Sequence, residues 1–264
     1  MQWKQQALER FSNQHDAHKW AAIYAADNLN VEAINFRKRR DVTVQYVLEH
    51  MPAGADILDL GCGAGPVLVE LCNHPYNLIG IDYSGDMLRL ARKQLGSAQN
   101  KIPLLQGECE AIPLSDASID CVLCLGVISY AESIENALQN IFNVLRPGGT
   151  AIVTYRNSLN DIFMDPVALI KQAFEMLFRN GDHANRTIGR SIPRSEFLQN
   201  IRKTQFKVAG EHQIGFGTLR LNRRVISDGR MAIRLNGFLH KLLSFFPNAI
   251  YRAMADVHII ILKK

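Results

Sequence analysis

Short apolar runs alternate along this chain with stretches whose apolar positions recur at helical spacing. The runs predict strands near 56–60, 77–81, 102–106, 120–125, 149–155, 205–213 and 256–262. Val67, Leu68 and Leu71 mark a helix after the first strand, with Pro66 in its first turn, where a missing N–H costs little. Ser84 is placed to cap a helix carrying Met87, Leu88, Ala91 and Leu95 on one side. Ile134, Ala137, Leu138, Ile141 and Leu145 mark the helix before the fifth strand, and Ser195 is placed to cap one holding Phe197, Leu198 and Ile201. Residues 1 to about 50 read as helical. Trp20, Ile23 and Tyr24 form one apolar patch. Val44, Val47 and Leu48 form another on the helix leading to the first strand, with Arg37-Lys38-Arg39-Arg40 at its start. Strands alternating with helices predict an α/β fold with a mostly parallel sheet.

The most telling segment is Ile57-Leu58-Asp59-Leu60-Gly61-Cys62-Gly63-Ala64-Gly65: a buried strand, an acid near its end, then a glycine loop opening into a helix. Glycine lets a ligand lie against bare main chain, and strand–loop–helix is a nucleotide-site geometry. The dinucleotide fingerprint needs a glycine where this chain has Pro66. The spacing of Gly61, Gly63 and Gly65, followed by Ile79-Gly80-Ile81-Asp82-Tyr83-Ser84, resembles the S-adenosylmethionine-dependent methyltransferases of the Rossmann-like class. Gln106-Gly107-Glu108-Cys109-Glu110-Ala111-Ile112-Pro113, Ser118 to Gly126 and Val144 to Val153 match further segments of that family in order.

The resemblance implies a doubly wound, mostly parallel seven-stranded sheet with helices on both faces and a helical cap. It also implies S-adenosyl-L-methionine as cofactor and S-adenosyl-L-homocysteine as product. Asp59 would face the cofactor's ammonium beside Gly61, Cys62, Gly63 and Gly65. Asp82 would take the ribose hydroxyls, with Tyr83 and Met87 adjoining. Glu108 would take the adenine amino group and Cys109 would offer its backbone N–H to the ring, while Glu110 competes with Glu108 for its role. Leu125 and Gly126 would lie beside the methionine moiety. Asp120 and the Arg146-Pro147-Gly148-Gly149 turn read as structural.

Four regions follow: a helical lid over 1–50, a cofactor-binding core over 51–156, a cap insertion over 157–192 with a helix at 165–179, and a final part over 193–264 containing a second insertion at about 214–255. The first insertion leaves a strand at its carboxyl end, where loops overhang the crevice. It is therefore expected to close over the methyl group together with the N-terminal helices.

Charge sharpens this division. Residues 1–157 carry 13 Lys+Arg and 17 Asp+Glu, a balance of −4; residues 158–264 carry 17 and 8, a balance of +9. A basic C-terminal part admits an acidic small substrate, an anionic membrane surface or nucleic acid. The apolar stripe Phe238, Leu239, Leu242, Leu243, Phe245 and Phe246, with Arg234 and Lys241 nearby, reads as a cap helix or as a surface for a greasy acceptor or lipid. No separate RNA-binding module is visible, so nucleic acid is the weaker partner. No run approaches the roughly 20 apolar residues that span a bilayer, and the first residues lack a signal-peptide core, so a cytoplasmic protein is expected. Five cysteines, Cys62, Cys72, Cys109, Cys121 and Cys124, show no metal spacing; in a strand, Cys121 and Cys124 point to opposite faces, so they read as reduced, packed thiols.

Methyl transfer from a sulfonium is an in-line displacement in which positioning supplies much of the rate, and a base is needed only when the acceptor still carries its proton. His18, His183, Tyr130 and Tyr155 are the candidate bases or acceptor-facing residues. The leading function is methylation of a small-molecule acceptor at oxygen, nitrogen or carbon. An RNA methyltransferase and a non-catalytic cofactor-binding protein are the alternatives. Arg220, Arg223, Arg224 and Arg230 are candidates for a basic rim around an apolar pocket.

Overall fold

The computed structural model describes residues 30–165, 190–216, 220–221, 224–225, 229–243, 245 and 248–264, together with positions 5, 11, 23 and 24. His18, Trp20, His183, Arg223, Phe246 and, past Asp165, the helix expected at 165–179 lie outside the described residues.

Helix α1 (Val31–His50) is capped by Asn30, whose side chain accepts from the Glu32 N–H at 2.8 Å. Asn35, Arg39, Thr43 and Val47, each one turn apart, form its buried stripe. The basic cluster 37–40 therefore lies inside this helix, not at its start, and one of its arginines points inward. Leu48, expected in the apolar patch, is exposed because it stands about 100° around the helix from Val47, off the buried stripe.

Strands β1 (Asp56–Leu60), β2 (Asn77–Asp82), β3 (Leu104–Gln106), β4 (Ile119–Leu125) and β5 (Leu145–Arg156) pair in parallel. Two further strands of the main sheet, β6 (Lys207–Ile214) and β9 (Val257–Lys263), complete the order β3-β2-β1-β4-β5-β9-β6; a two-residue hairpin, β7 (Arg220–Leu221) and β8 (Arg224–Val225), stands apart. The order reverses between β1 and β4, and that switch point is where such sheets open a ligand crevice.

Between the strands lie α2 (Pro66–Leu71), α3 (Gly85–Leu95), α4 (Ile134–Val144), α5 (Ser158–Met164) and α6 (Arg194–Lys203). Ser84 caps α3, its hydroxyl accepting from the Met87 N–H at 3.3 Å. Pro193, not Ser195, holds the cap position of α6: its extended backbone starts the helix and its carbonyl accepts from the Phe197 N–H at 3.0 Å.

The two sheet faces bury separate clusters. Leu58, Val122, Cys124 and Val153 pack against Leu138, Ile141, Phe197 and Ile201 of α4 and α6. Ile57, Cys121, Leu123 and Ile152 pack against Val47, Leu71 and Leu88 of α1, α2 and α3. Cys121 and Cys124 thus fall on opposite faces, as strand alternation requires. Burial pushes the Cys121 thiol up to about 12 and Cys124 well above its ordinary value, so both are protonated. At the far end of the sheet, β5 is continuous from Leu145, where a turn was expected. Arg146 bridges Asp56 and Asp120 at 2.7 Å each, and Asp120 also accepts the Asp56 N–H at 2.9 Å.

β9 is antiparallel to both neighbours, with Val257 opposite Arg156 and Ile214. The second insertion therefore leaves and re-enters the sheet at the carboxyl end of β5, on the crevice side. It contains α7 (Gly229–Leu243) and α8 (Asn248–Met254). Met164, Phe216 and Leu243 form its small core with Leu239, Tyr251 and Met254. Asn160 ties it down, donating to the carbonyls of Phe216 at 3.1 Å and Met254 at 2.7 Å.

Candidate active site

The crevice is built around the loop that joins β1 to α2. Gly61, Gly63 and Gly65 all hold positive φ, of 76°, 54° and 80°. The Gly61 and Cys62 N–H groups donate to the Ile81 carbonyl at 2.6 and 3.0 Å, pinning the loop to the end of β2. A Cβ on Gly61 would collide with Val127, whereas one on Gly63 would point into open space. Gly63 therefore presents bare backbone to the crevice. Gly65 differs from the expectation: a Cβ there would stand 3.2 Å from Ala91, so its bareness serves the packing of α2 on α3.

Asp82, half-buried at the end of β2, clamps two turns at once. One carboxylate oxygen accepts the Gly63 N–H and the other the Ser84 N–H, both at 2.8 Å. Each oxygen keeps capacity for another donor. Burial pushes its pKa up and these N–H bonds partly hold it down.

Asp59 is 2% exposed and its Oδ2 has no hydrogen-bond partner among the described residues. Burial, then the neighbouring Asp82 charge, push its pKa up to about 7, against the pull of Arg39. Arg39 reaches in from α1. Its guanidinium lies 4.3 Å from the Phe36 ring centroid and fills the space a Cβ on Gly126 would need, 2.6 Å from one terminal nitrogen. The buried Arg39 Nε also has no hydrogen-bond partner among the described residues. A buried carboxylate and a buried guanidinium, each with an orphaned polar atom, suit a ligand bearing both an ammonium and a carboxylate. The amino-acid end of S-adenosylmethionine has those two groups. Sequence reasoning missed Arg39; its signal was the four-residue spacing from Asn35 to Val47, which puts the arginine in the inward stripe.

Other expected residues fall around this centre. Gly126 follows Leu125 at the end of β4 with φ 81°, its N–H donating to Thr154 Oγ1 at 2.7 Å. Tyr83 is 37% exposed just past Asp82, and Met87 is buried beneath. Glu108 is half-buried and Cys109 buried in the loop after β3. Glu110 is no solvated charge: its carboxylate accepts the N–H groups of Glu132 and Ser133 at 3.0 and 2.9 Å, at the start of α4. That assigns Glu110 to the scaffold and leaves Glu108 as the candidate of the two.

Tyr130 stands in the turn after β4, edge-on to Phe11 with ring centroids 5.6 Å apart. Phe11 also packs on Ala64 and Met87, and its carbonyl accepts from Ser84 Oγ at 2.6 Å. This N-terminal residue, which the sequence did not single out, reaches the crevice. Tyr155 does not. It is 1% exposed and stacked between Phe197 and His258, because it shares the inward face of β5 with Ala151 and Val153. Burial, then the Glu211 charge, push its hydroxyl's pKa up, so it is a core residue and no base.

A glycine loop at the switch point, paired acids at the ends of β1 and β2, and an antiparallel β9 between β5 and β6 give this chain the fold of the class I S-adenosylmethionine-dependent methyltransferases. Comparison with known proteins agrees. Residues 58–153 match the family model described as a methyltransferase domain. The chain is 29% identical over 177 residues to the malonyl-[acyl-carrier protein] O-methyltransferase of Enterobacter lignolyticus, covering 66% of this chain and 65% of that protein. It is 28% identical over 182 residues to the demethylmenaquinone methyltransferase of Lactococcus lactis, covering 66% and 70%. In structure it is similar to magnesium protoporphyrin IX methyltransferase from Synechocystis PCC 6803 with bound S-adenosylhomocysteine, with a TM-score of 0.63, 13% identity and 98% of each chain covered. Residues 58–153 are thus a methyltransferase domain, and over it the chain is similar to S-adenosylmethionine-dependent methyltransferases, spanning 65% of the length of the first of these relatives.

Proposed function

We propose that this chain transfers a methyl group from S-adenosylmethionine to a small molecule with an apolar body and an anionic end. The observation that carries the cofactor half is the pair of orphaned, oppositely charged atoms, Asp59 Oδ2 and Arg39 Nε, beside the glycine loop. Asp59 would hold the ammonium, Arg39 the carboxylate and Asp82 the ribose hydroxyls, with Gly63 offering bare backbone. Glu108 and the Cys109 N–H would read the adenine.

The bound cofactor supplies a methyl carbon open to in-line displacement. The protein's part is to fix the direction of approach and to keep water out. Phe11 and Tyr130 flank the crevice and suit that second task. No residue is assigned as a base: Tyr155 is sealed in the core, and His18 and His183 lie outside the described residues.

The acceptor half rests on different support. The apolar stripe of α7 and the cations Arg230, Arg234, Lys241 and Arg252 belong to the excursion that leaves and re-enters the sheet at the crevice end. Of the proposed rim, Arg230 is exposed at the start of α7, and Arg220 and Arg224 belong to the small hairpin. The relatives' names include a malonyl carrier, a demethylmenaquinone and a magnesium porphyrin, all non-nucleic-acid acceptors. A transfer assay with methyl-labelled cofactor against lipid, small-molecule and RNA fractions of a cell extract tests the reading. Label should enter the lipid or small-molecule fraction. Label confined to RNA, or no transfer by protein that binds S-adenosylhomocysteine, overturns it.

A further inference from the structure

Helix α7 carries three distinct stripes. At about 100° per residue, Leu239 and Leu243 project to one side, where they join the buried cluster with Met164 and Phe216. Met231, Phe238 and Leu242 fall within about 40° of one another on a second side. These are not covered: they are 59%, 62% and 43% exposed, and Phe245, just past the helix, is 80% exposed. Arg230, Arg234 and Lys241 form the third stripe, beside the second, and all three are exposed. Ile250 of α8 adds a further apolar side chain at 40% exposure.

Charge decides what such a face suits. From Gly229 to Ala255 the chain contains no Asp or Glu, yet it holds Arg230, Arg234, Lys241 and Arg252. A second copy of this chain would set this basic face against another basic face, so self-association through it is disfavoured by its own charge. An exposed apolar stripe beside a cationic one is the pattern of a helix lying in a membrane interface, with the apolar side chains in the acyl boundary and the cations among anionic headgroups. No helix among the described residues is long and apolar enough to cross a membrane.

We infer that the α7–α8 cap docks the protein on an anionic lipid bilayer, with Met231, Phe238, Leu242 and Phe245 entering the interface and Arg230 and Arg234 meeting the headgroups. The cap lies at the carboxyl end of the parallel strands, so the docked surface and the crevice share one end of the molecule. The inference does not depend on methyl transfer, since docking is read without turnover.

The test is co-sedimentation of the full chain with vesicles of phosphatidylcholine alone or mixed with phosphatidylglycerol. The protein should bind the mixed vesicles, bind the neutral ones at least about tenfold more weakly, and be released by salt as screening shortens the reach of the headgroup charge. Phe238→Ser with Phe245→Ser should abolish most binding. Arg230→Ala with Arg234→Ala should weaken it by roughly fivefold per cation removed. Both pairs of positions are exposed, so melting temperature and S-adenosylhomocysteine affinity should match the parent. Three outcomes overturn the proposal: no sedimentation by protein that still binds S-adenosylhomocysteine, equal binding to neutral and anionic vesicles, or a dimer lost in the Phe238/Phe245 variant without vesicle binding.

Discussion

Asp59 costs the empty protein stability that a ligand can return. Its ordinary pKa of 3.8 rises to about 7 in the fold, through burial first and the Asp82 charge second. An acid whose folded pKa is raised favours folding while protonated. Its contribution is complete below about pH 4 and is lost as pH climbs to about 7, a span worth on the order of 4 kcal/mol. Asp59→Asn should therefore raise the melting temperature of ligand-free protein at about pH 8 by several degrees and change it little near pH 4. The ligand's ammonium prefers the ionised carboxylate. Parent affinity for S-adenosylhomocysteine should thus rise between about pH 6 and pH 8, a slope absent from the variant. Melting curves and titrations at the two pH values check both; a variant no more stable than the parent at high pH contradicts the burial argument. Asp59 and Asp82 were legible in the sequence because each stands at or near the end of an apolar run. Arg39 was hidden, since its meaning lies in the direction of one helix face relative to a distant glycine. Tyr155 misled for the converse reason: its place at the end of β5 was read, but not its side. The alternation Ala151, Val153, Tyr155 already gave that side.

Among the elements, the start of α4 and the loop after β3 are joined by Glu110. Its two bonds to the Glu132 and Ser133 N–H groups cap the helix from outside, while Ser133 caps it from within by accepting the Asn136 N–H at 3.1 Å. Glu110→Ala should cost roughly 1–3 kcal/mol of stability and leave cofactor affinity nearly unchanged. Glu108→Ala should do the reverse, with little loss of stability and at least about a fivefold loss of affinity. Denaturant unfolding beside titration of each variant separates them, and a swap of the two effects would reassign the adenine contact. The sequence placed both acids in the right loop. It did not separate them, because the partners of Glu110 lie more than 20 residues away along the chain. The positions of β1, β2 and β4, by contrast, were read closely, since a buried parallel strand writes most of its length as apolar residues.

At the scale of the whole molecule, the parallel sheet supplies a crevice, and the excursion between β6 and β9 leaves and re-enters at its carboxyl end. The direction of that excursion was open from sequence alone. It follows from the antiparallel register of β9, which returns the chain to the crevice side before the last strand. Most of the positive balance of residues 158–264 falls on the excursion over 214–255, which holds seven Lys+Arg and one Asp beside a more acidic core. What unites them is the claim that the crevice holds S-adenosylmethionine by its amino-acid end and its ribose. Isothermal titration calorimetry with S-adenosylhomocysteine tests that claim most directly, using the parent and Asp82→Asn and with NAD as the comparison ligand. The predicted result is saturable binding of one S-adenosylhomocysteine per chain, weakened at least about tenfold in the variant by the loss of a charge-assisted acceptor, and no heat from NAD. Equal affinity in parent and variant, or binding of NAD in place of S-adenosylhomocysteine, would contradict it.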